Sequence, residues 1–128
     1  MAKAVLAVLA ALAVAVLIKL FLFDFIIAEG NSMEPTIRSG SVLIINKLQY
    51  GFRFPGQKRY LIQWAMPKQG DIVVFYMLDE SIAVKRCSGI TEKGEFTVKG
   101  DNIYQSFDSR SYGPIPANRI IGKVLGKK

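Results

Sequence analysis

Residues 4–18, "AVLAVLAALAVAVLI", are 15 apolar residues without a break, and after Lys19 the segment "LFLF" carries the run to Phe23. As a helix rising about 1.5 Å per residue, the 20 residues from 4 to 23 span roughly 30 Å, the thickness of a bilayer's hydrocarbon core. Lys19 falls near one end, where its stem can lie in lipid and its ammonium can reach the interface. Phe21, Phe23 and Phe25 fall at the same boundary. A cleavable leader needs small residues before its cut site. Ala28 suits the −1 position, but Ile26 at −3 is large and β-branched, and Ala11-Leu12-Ala13 lies inside the apolar run. The pattern therefore predicts a retained anchor, with residues 1–28 as anchor and short connection and residues 29–128 as a separate domain. About 100 residues are enough for one small core.

The chain carries a net charge of +7, of which residues 1–28 supply +1 and the remainder +6. Such a surface suits anionic lipid headgroups or an acidic partner. Nucleic acid is not an expected partner, because the sequence shows no helix-turn-helix pattern, basic helix or RNA-binding aromatic signature. Cys87 is the single cysteine and there is no histidine, so an intramolecular disulfide is excluded and a zinc site would need a nearly all-carboxylate ligand set. No metal or other cofactor is expected.

Beyond the anchor, short apolar and β-branched runs alternate with turn signals. They are residues 41–48 ("SVLIINKL"), 71–78 ("DIVVFYML"), 81–90 ("SIAVKRCSGI"), 95–100 ("EFTVKG") and 118–126 ("NRIIGKVLG"). This spacing predicts a mainly β fold, a small antiparallel domain after a single N-terminal transmembrane helix. Residues 47–70 differ: Tyr50, Phe52, Phe54, Tyr60 and Trp64 interleave with Arg53, Lys58 and Arg59. Two readings fit that composition equally, a hairpin dipping into the membrane interface and a hairpin packing its aromatics on the domain.

Residues 30–36, "GNSMEPT", place Ser32 just after the anchor. Taken alone, this is a turn, with Pro35 fixing the local backbone. For Ser32 to act as a nucleophile in a chain without histidine, a lysine amine must take its proton, a known variant of the triad logic. A free lysine has a pKa of about 10.4, and bringing it to about 7 destabilises the cation by roughly 4 kcal/mol. Desolvation in an apolar pocket can do this. Most lysines here lie beside glycines, turns, polar neighbours or the terminus. Lys85 lies instead in "SIAVKRCSG", where period-two alternation puts Ala83, Lys85 and Cys87 on one strand face, with Val84 and Arg86 on the other.

Three ordered stretches, "NSMEPT", "IAVKR" and "GDNIYQSFDSRSYGPIP" (100–116), resemble the type I signal peptidases, membrane-bound Ser/Lys endopeptidases; the resemblance runs from about Ala28 to Val124 and takes in "YGFRFPG" and "PKQGDIVVF". It implies that Ser32 attacks the scissile carbonyl and that Lys85 is the general base. It further implies that Ser106 orients the lysine amine, that Asp108 and Arg110 form a structural ion pair nearby, and that Met33 and Pro35 shape the active-site turn. Gly30 stands where some members carry a serine whose hydroxyl helps hold the oxyanion, which leaves the Ser32 backbone N–H as the donor the sequence supplies. After Lys85 the sequence keeps only Gly89 of the family's usual "GxPGD"-like stretch, and a large β insertion of bigger members is missing, so the chain reads as minimal or specialised. The implied activity is removal of signal peptides from exported preproteins after small residues. The implied location is a bacterial inner or plasma membrane, single-pass, with the catalytic domain on the outer face and no obligate protein partner. The alternatives are a dedicated maturation peptidase for a conjugative-pilus protein, and a catalytically silent membrane-associated β module that binds lipid or peptide.

Overall fold

The computed structural model describes every residue except Pro55, Gln105, Ser106 and Lys128, and for Lys127 only the backbone. The chain begins with helix α1 (Ala2–Leu17), continued by a π-helical turn over Ile18–Leu22. Together they form a 21-residue rod, long and apolar enough to cross a membrane, with none of its hydropathic window covered by the rest of the chain. A long apolar helix that touches the rest of the chain only at its C-terminal end has its natural partner in lipid.

Among the described residues nine strands follow: β1 (Phe23–Ile27), β2 (Val42–Asn46), β3 (Gly51–Phe52), β4 (Ile62–Gln63), β5 (Ile72–Tyr76), β6 (Ile82–Ile90), β7 (Glu95–Lys99), β8 (Ile115–Pro116) and β9 (Ile120–Lys127). A short helix α2 (Ser109–Tyr112) precedes β8. Seven strands make one curled antiparallel sheet in the order β1-β2-β9-β5-β6-β7-β8, and β3 and β4 form a separate hairpin. The fold is thus mainly β after one apolar helix, as the sequence predicts, and each of the five expected runs contains a strand. β1 was not expected; its alternating exposed and half-buried residues are hidden in a sequence that reads as a continuation of the membrane run.

The core lies on both faces of the sheet. Tyr50, Val73, Phe75, Cys87, Phe96, Val98, Ile115 and Ile120 pack on one side, and Ala28, Met33, Ile37 and Leu43 on the other. β5 sits between β9 and β6 with Val73, Val74 and Phe75 all fully buried, which accounts for its unbroken apolar sequence in an antiparallel sheet. Phe75 meets Phe96 edge-on, with ring centroids 5.5 Å apart.

The 47–70 segment packs only part of its aromatics on the domain. Tyr50 is fully buried and Tyr60 packs against the same cluster, whereas Phe54, Leu61, Ile62 and Trp64 are exposed. The sheet's tightest approach is at Gly122, where a Cβ would lie 2.7 Å from Ile45 Cγ2 and against the Asn46 backbone carbonyl of β2. Backbone cannot move aside as a flexible side-chain tip can. Gly122→Ala is therefore expected to destabilise the domain by about 1–3 kcal/mol, read as a lower urea midpoint for the detergent-solubilised protein.

Candidate active site

The turn that carries Ser32 joins β1 to β2. Its inward anchors are Met33 and Ile37, both buried against Ala28 and Leu43. Inside the turn, the Ile37 N–H donates to the Met33 carbonyl at 2.9 Å. A second element clamps it from outside. The Asn102 N–H donates to the Ser32 carbonyl at 2.8 Å, and Asn102 Nδ2 donates to the Asn31 carbonyl at 3.0 Å. The Thr36 hydroxyl donates to Asp101. Asp101 in turn holds Arg86 through a two-pronged pair, Nε–Oδ1 at 2.9 Å and Nη2–Oδ2 at 2.7 Å, and Arg86 Nη1 donates to the Gly70 carbonyl at 2.9 Å. Bidentate pairing of this kind fixes orientation as well as distance.

Arg86 directly follows Lys85 on β6. Lys85, Ala83 and Cys87 do share a face, and the Cα of Lys85 is paired with that of Val73 on β5. Lys85 is only 7% exposed. Its amine makes no hydrogen bond or ion pair among the described residues. Burial pushes its pKa below the ordinary lysine value, and the Asp108 charge partly opposes that. Asp108 is 1% exposed and is held by Arg110, with Nη2–Oδ2 at 2.7 Å and Nε–Oδ1 at 2.9 Å. It also accepts from the Gly100 N–H at 2.9 Å and, as the N-cap of α2, from the Arg110 N–H.

Ser32, Lys85, Gly30 and Met33 all line one cleft of about 650 Å³. One wall is the stretch from Ile26 to Gly30, the other is Glu80 to Lys85. No hydrogen bond joins Ser32 Oγ to Lys85 Nζ among the described residues; catalytic bonds of this type often tighten only with substrate bound. Pro35 is exposed and lines a shallow hollow with Asp101 and Asn102, behind the turn. Ser106 lies outside the described residues. Gly30 has φ +80°, so a serine there would need a left-handed backbone that costs an L-residue about 1–2 kcal/mol.

Both walls offer unpaired strand edges. β1 is the first strand of the sheet, and on β6 pairing with β7 begins only at Arg86. Ala28 exchanges hydrogen bonds with Ser41 and Gly40, so strand alternation turns the backbone groups of Ile27 and Glu29 away from β2 and toward the cleft.

A family model described as "Signal peptidase, peptidase S26" matches residues 1–92 and 84–126. The chain belongs to this signal peptidase family. It is 34% identical to mitochondrial inner membrane protease subunit 1 of Xenopus tropicalis over 117 residues, which covers 81% of this chain and 68% of the relative. It is 28% identical to signal peptidase I of Bacillus caldolyticus over 152 residues, covering 89% and 84%. It is 30% identical to signal peptidase I of Haemophilus influenzae over 112 residues, covering 88% of this chain but 31% of that larger protein. Membership supports a membrane-bound serine peptidase.

Two contacts of this site were not expected from the sequence. Arg86–Asp101 and Asn102 tie the serine turn to the lysine strand; the pairing of "KR" with "GDN", opposite charges 15 positions apart, was the available signal. Two predictions follow from the geometry. Asp101→Asn is expected to lower kcat at least about tenfold with KM within about twofold, because it loosens alignment rather than binding; steady-state kinetics on a preprotein would read it. Lys85→Met is expected to raise the melting temperature at neutral pH. The Lys85 pKa in the folded protein lies below the unfolded value of 10.5, so the unfolded state binds more protons between the two. Wild-type stability therefore climbs with pH across that window, and the advantage of Lys85→Met should shrink across it and be gone above 10.5. Thermal melts from pH 7 to 11 would show this.

Proposed function

We propose that the chain is a membrane-anchored serine endopeptidase that removes signal peptides from exported preproteins after small residues, with Ser32 as nucleophile and Lys85 as general base. One observation carries this reading. In a chain without histidine, a buried lysine with a lowered pKa and no ion-pair partner among the described residues shares a cleft with the serine of a signal-peptidase motif.

In this mechanism the neutral Lys85 amine takes the Ser32 hydroxyl proton as Oγ attacks the scissile carbonyl. The oxyanion of the tetrahedral intermediate accepts from the Ser32 N–H. The Lys85 ammonium then gives its proton to the departing amine, leaving an acyl-serine. Water, deprotonated by Lys85, attacks the ester and releases the new carboxylate while the proton returns to Ser32. Ser106 is assigned the role of orienting the Lys85 amine, and Gly30 contributes no side chain to the oxyanion. The substrate binds extended between the free edges of β1 and β6, where backbone pairing supplies affinity and the small apolar recess by Ala28, Met33 and Val84 selects small side chains. Residues 29–128 are assigned to the catalytic domain, placed on the outer face of the membrane. The anchor confines enzyme and membrane-embedded substrate to one surface, which raises their effective concentration.

The test is cleavage, in lipid or detergent, of a preprotein carrying an A-x-A site. Ser32→Ala and Lys85→Ala are each expected to lower the rate at least about a thousandfold while the circular dichroism stays unchanged. Wild-type activity should rise with pH along a limb set by Lys85, below the usual lysine pKa. Wild-type-like cleavage by either variant would overturn the assignment.

A further inference from the structure

We infer that the β3–β4 hairpin is a second membrane contact, docked in the bilayer's interfacial zone beside the exit of the N-terminal helix. The inference rests on the membrane reading of that helix and not on the catalytic assignment. The hairpin has two unlike faces. Its inner face is clamped to the domain. Arg53 lies over the Tyr60 ring at 4.2 Å and donates to the Ile120 carbonyl and, at 2.9 Å, to the Lys58 carbonyl, while Gln63 Nε2 donates to the Ala117 carbonyl at 3.3 Å. Its backbone is closed by Leu61 N–H to the Phe52 carbonyl at 2.8 Å and Trp64 N–H to the Tyr50 carbonyl at 2.9 Å. The hairpin is therefore a braced element.

The outer face is apolar and open. Phe52 stands directly across from Ile62, and Trp64, two residues on, falls on the same side by strand alternation. Phe54 meets the Phe52 ring edge-on at 5.3 Å. Phe54, Ile62 and Trp64 are 54%, 59% and 55% exposed, a cluster of large apolar groups that a water-facing surface rarely carries together.

Continuity with the helix identifies the occupant. The Phe52 ring stacks on Phe21 at 5.7 Å, nearly parallel, and Phe21 is one residue from the end of the 21-residue apolar rod. Lys47 marks the polar level at the same place: its Nζ donates to the Leu20 carbonyl at 3.1 Å and lies 3.7 Å from Asp24. Trp64 at that depth matches the aromatic belts that settle among lipid headgroups, with Phe52, Phe54 and Ile62 as apolar neighbours on the acyl-chain side of that zone. Of the hairpin's basic residues, Arg53 is engaged internally and Lys58 pairs with Glu80 at 3.1 Å, which leaves the exposed Arg59 as a single cation beside a larger apolar face. Docking should therefore persist on neutral lipid.

Trp64 is the only tryptophan in the sequence, so the native protein carries its own probe. The full chain is reconstituted in phosphatidylcholine vesicles, with and without lipid brominated near the top of the acyl chain. Expected is quenching of Trp64 emission by at least about half in the brominated vesicles, and at least fivefold less iodide quenching than for a water-soluble tryptophan peptide. The result should be the same for Ser32→Ala, which separates it from the peptidase reading. Phe54→Ser/Ile62→Ser should reduce the bromolipid quenching at least twofold with unchanged circular dichroism. Iodide quenching equal to the free peptide's would overturn the inference. Shielding from iodide without bromolipid quenching would also overturn it, because a protein surface would then cover the face. Should the double variant fail to fold, the wild-type measurement still decides.

Discussion

Keeping one amine out of water is the constraint around which this site is arranged. An uncharged lysine at neutral pH exists only where desolvation outweighs every nearby negative charge. At Lys85 the two act in opposite directions: burial lowers its pKa and the Asp108 charge raises it, with burial the larger. Asp108 has commitments of its own. Arg110 grips both carboxylate oxygens and the Gly100 N–H takes a further share of one of them, so much of its charge is answered before it reaches Lys85. A carboxylate in direct contact with the amine would favour the ammonium more strongly. The neighbours Ala83 and Cys87 contribute by being small and weakly polar; burial also raises the Cys87 thiol pKa, so it stays protonated and adds no charge.

The rest of the site is a matter of alignment. Ser32 and Lys85 sit on different elements, a turn at one end of the sheet and a strand four places away in its order. The curl of the sheet brings the two edges to opposite sides of one cleft, and the Asp101–Asn102 segment holds them there. Asp101 reaches β6 through Arg86 and the turn through Thr36, while Asn102 bonds the Asn31 and Ser32 carbonyls of the turn. The free edges that result are unusual in a sheet protein, where open edges invite unwanted pairing. Here both border the same cleft.

Much of this was legible in the sequence, and the parts that were not share a cause. Alternation singled out Lys85 because burial of one strand face is a local, period-two property. The five strand runs were visible for the same reason. β1 was not visible, because Phe23–Ile27 follows an apolar helix and presents mostly apolar residues itself; its strand character comes from pairing with β2 across a 14-residue turn segment. The hairpin's two-faced nature was undecidable from composition, since which aromatic turns inward depends on Arg53 finding the Ile120 carbonyl 67 positions away. Arg86–Asp101 and Asn102–Asn31 are likewise long-range pairs with no periodic trace. The role of Ser106 lies outside the described residues.

The direct run from helix to strand has a further consequence. β1 starts at Phe23, the residue after the apolar rod ends, with Lys47 stapling the junction through the Leu20 and Leu22 carbonyls. No slack linker separates the apolar rod from the strand that leads to the Ser32 turn. At about 3.3 Å per residue, a five-residue strand is a stiff strut of roughly 16 Å. On the proposed reading, the strut fixes how high above the lipid a peptide bond must sit to be reached. The molecule then works as a depth gauge, and distance from the membrane becomes a criterion for selection alongside the size of the side chains at the cut.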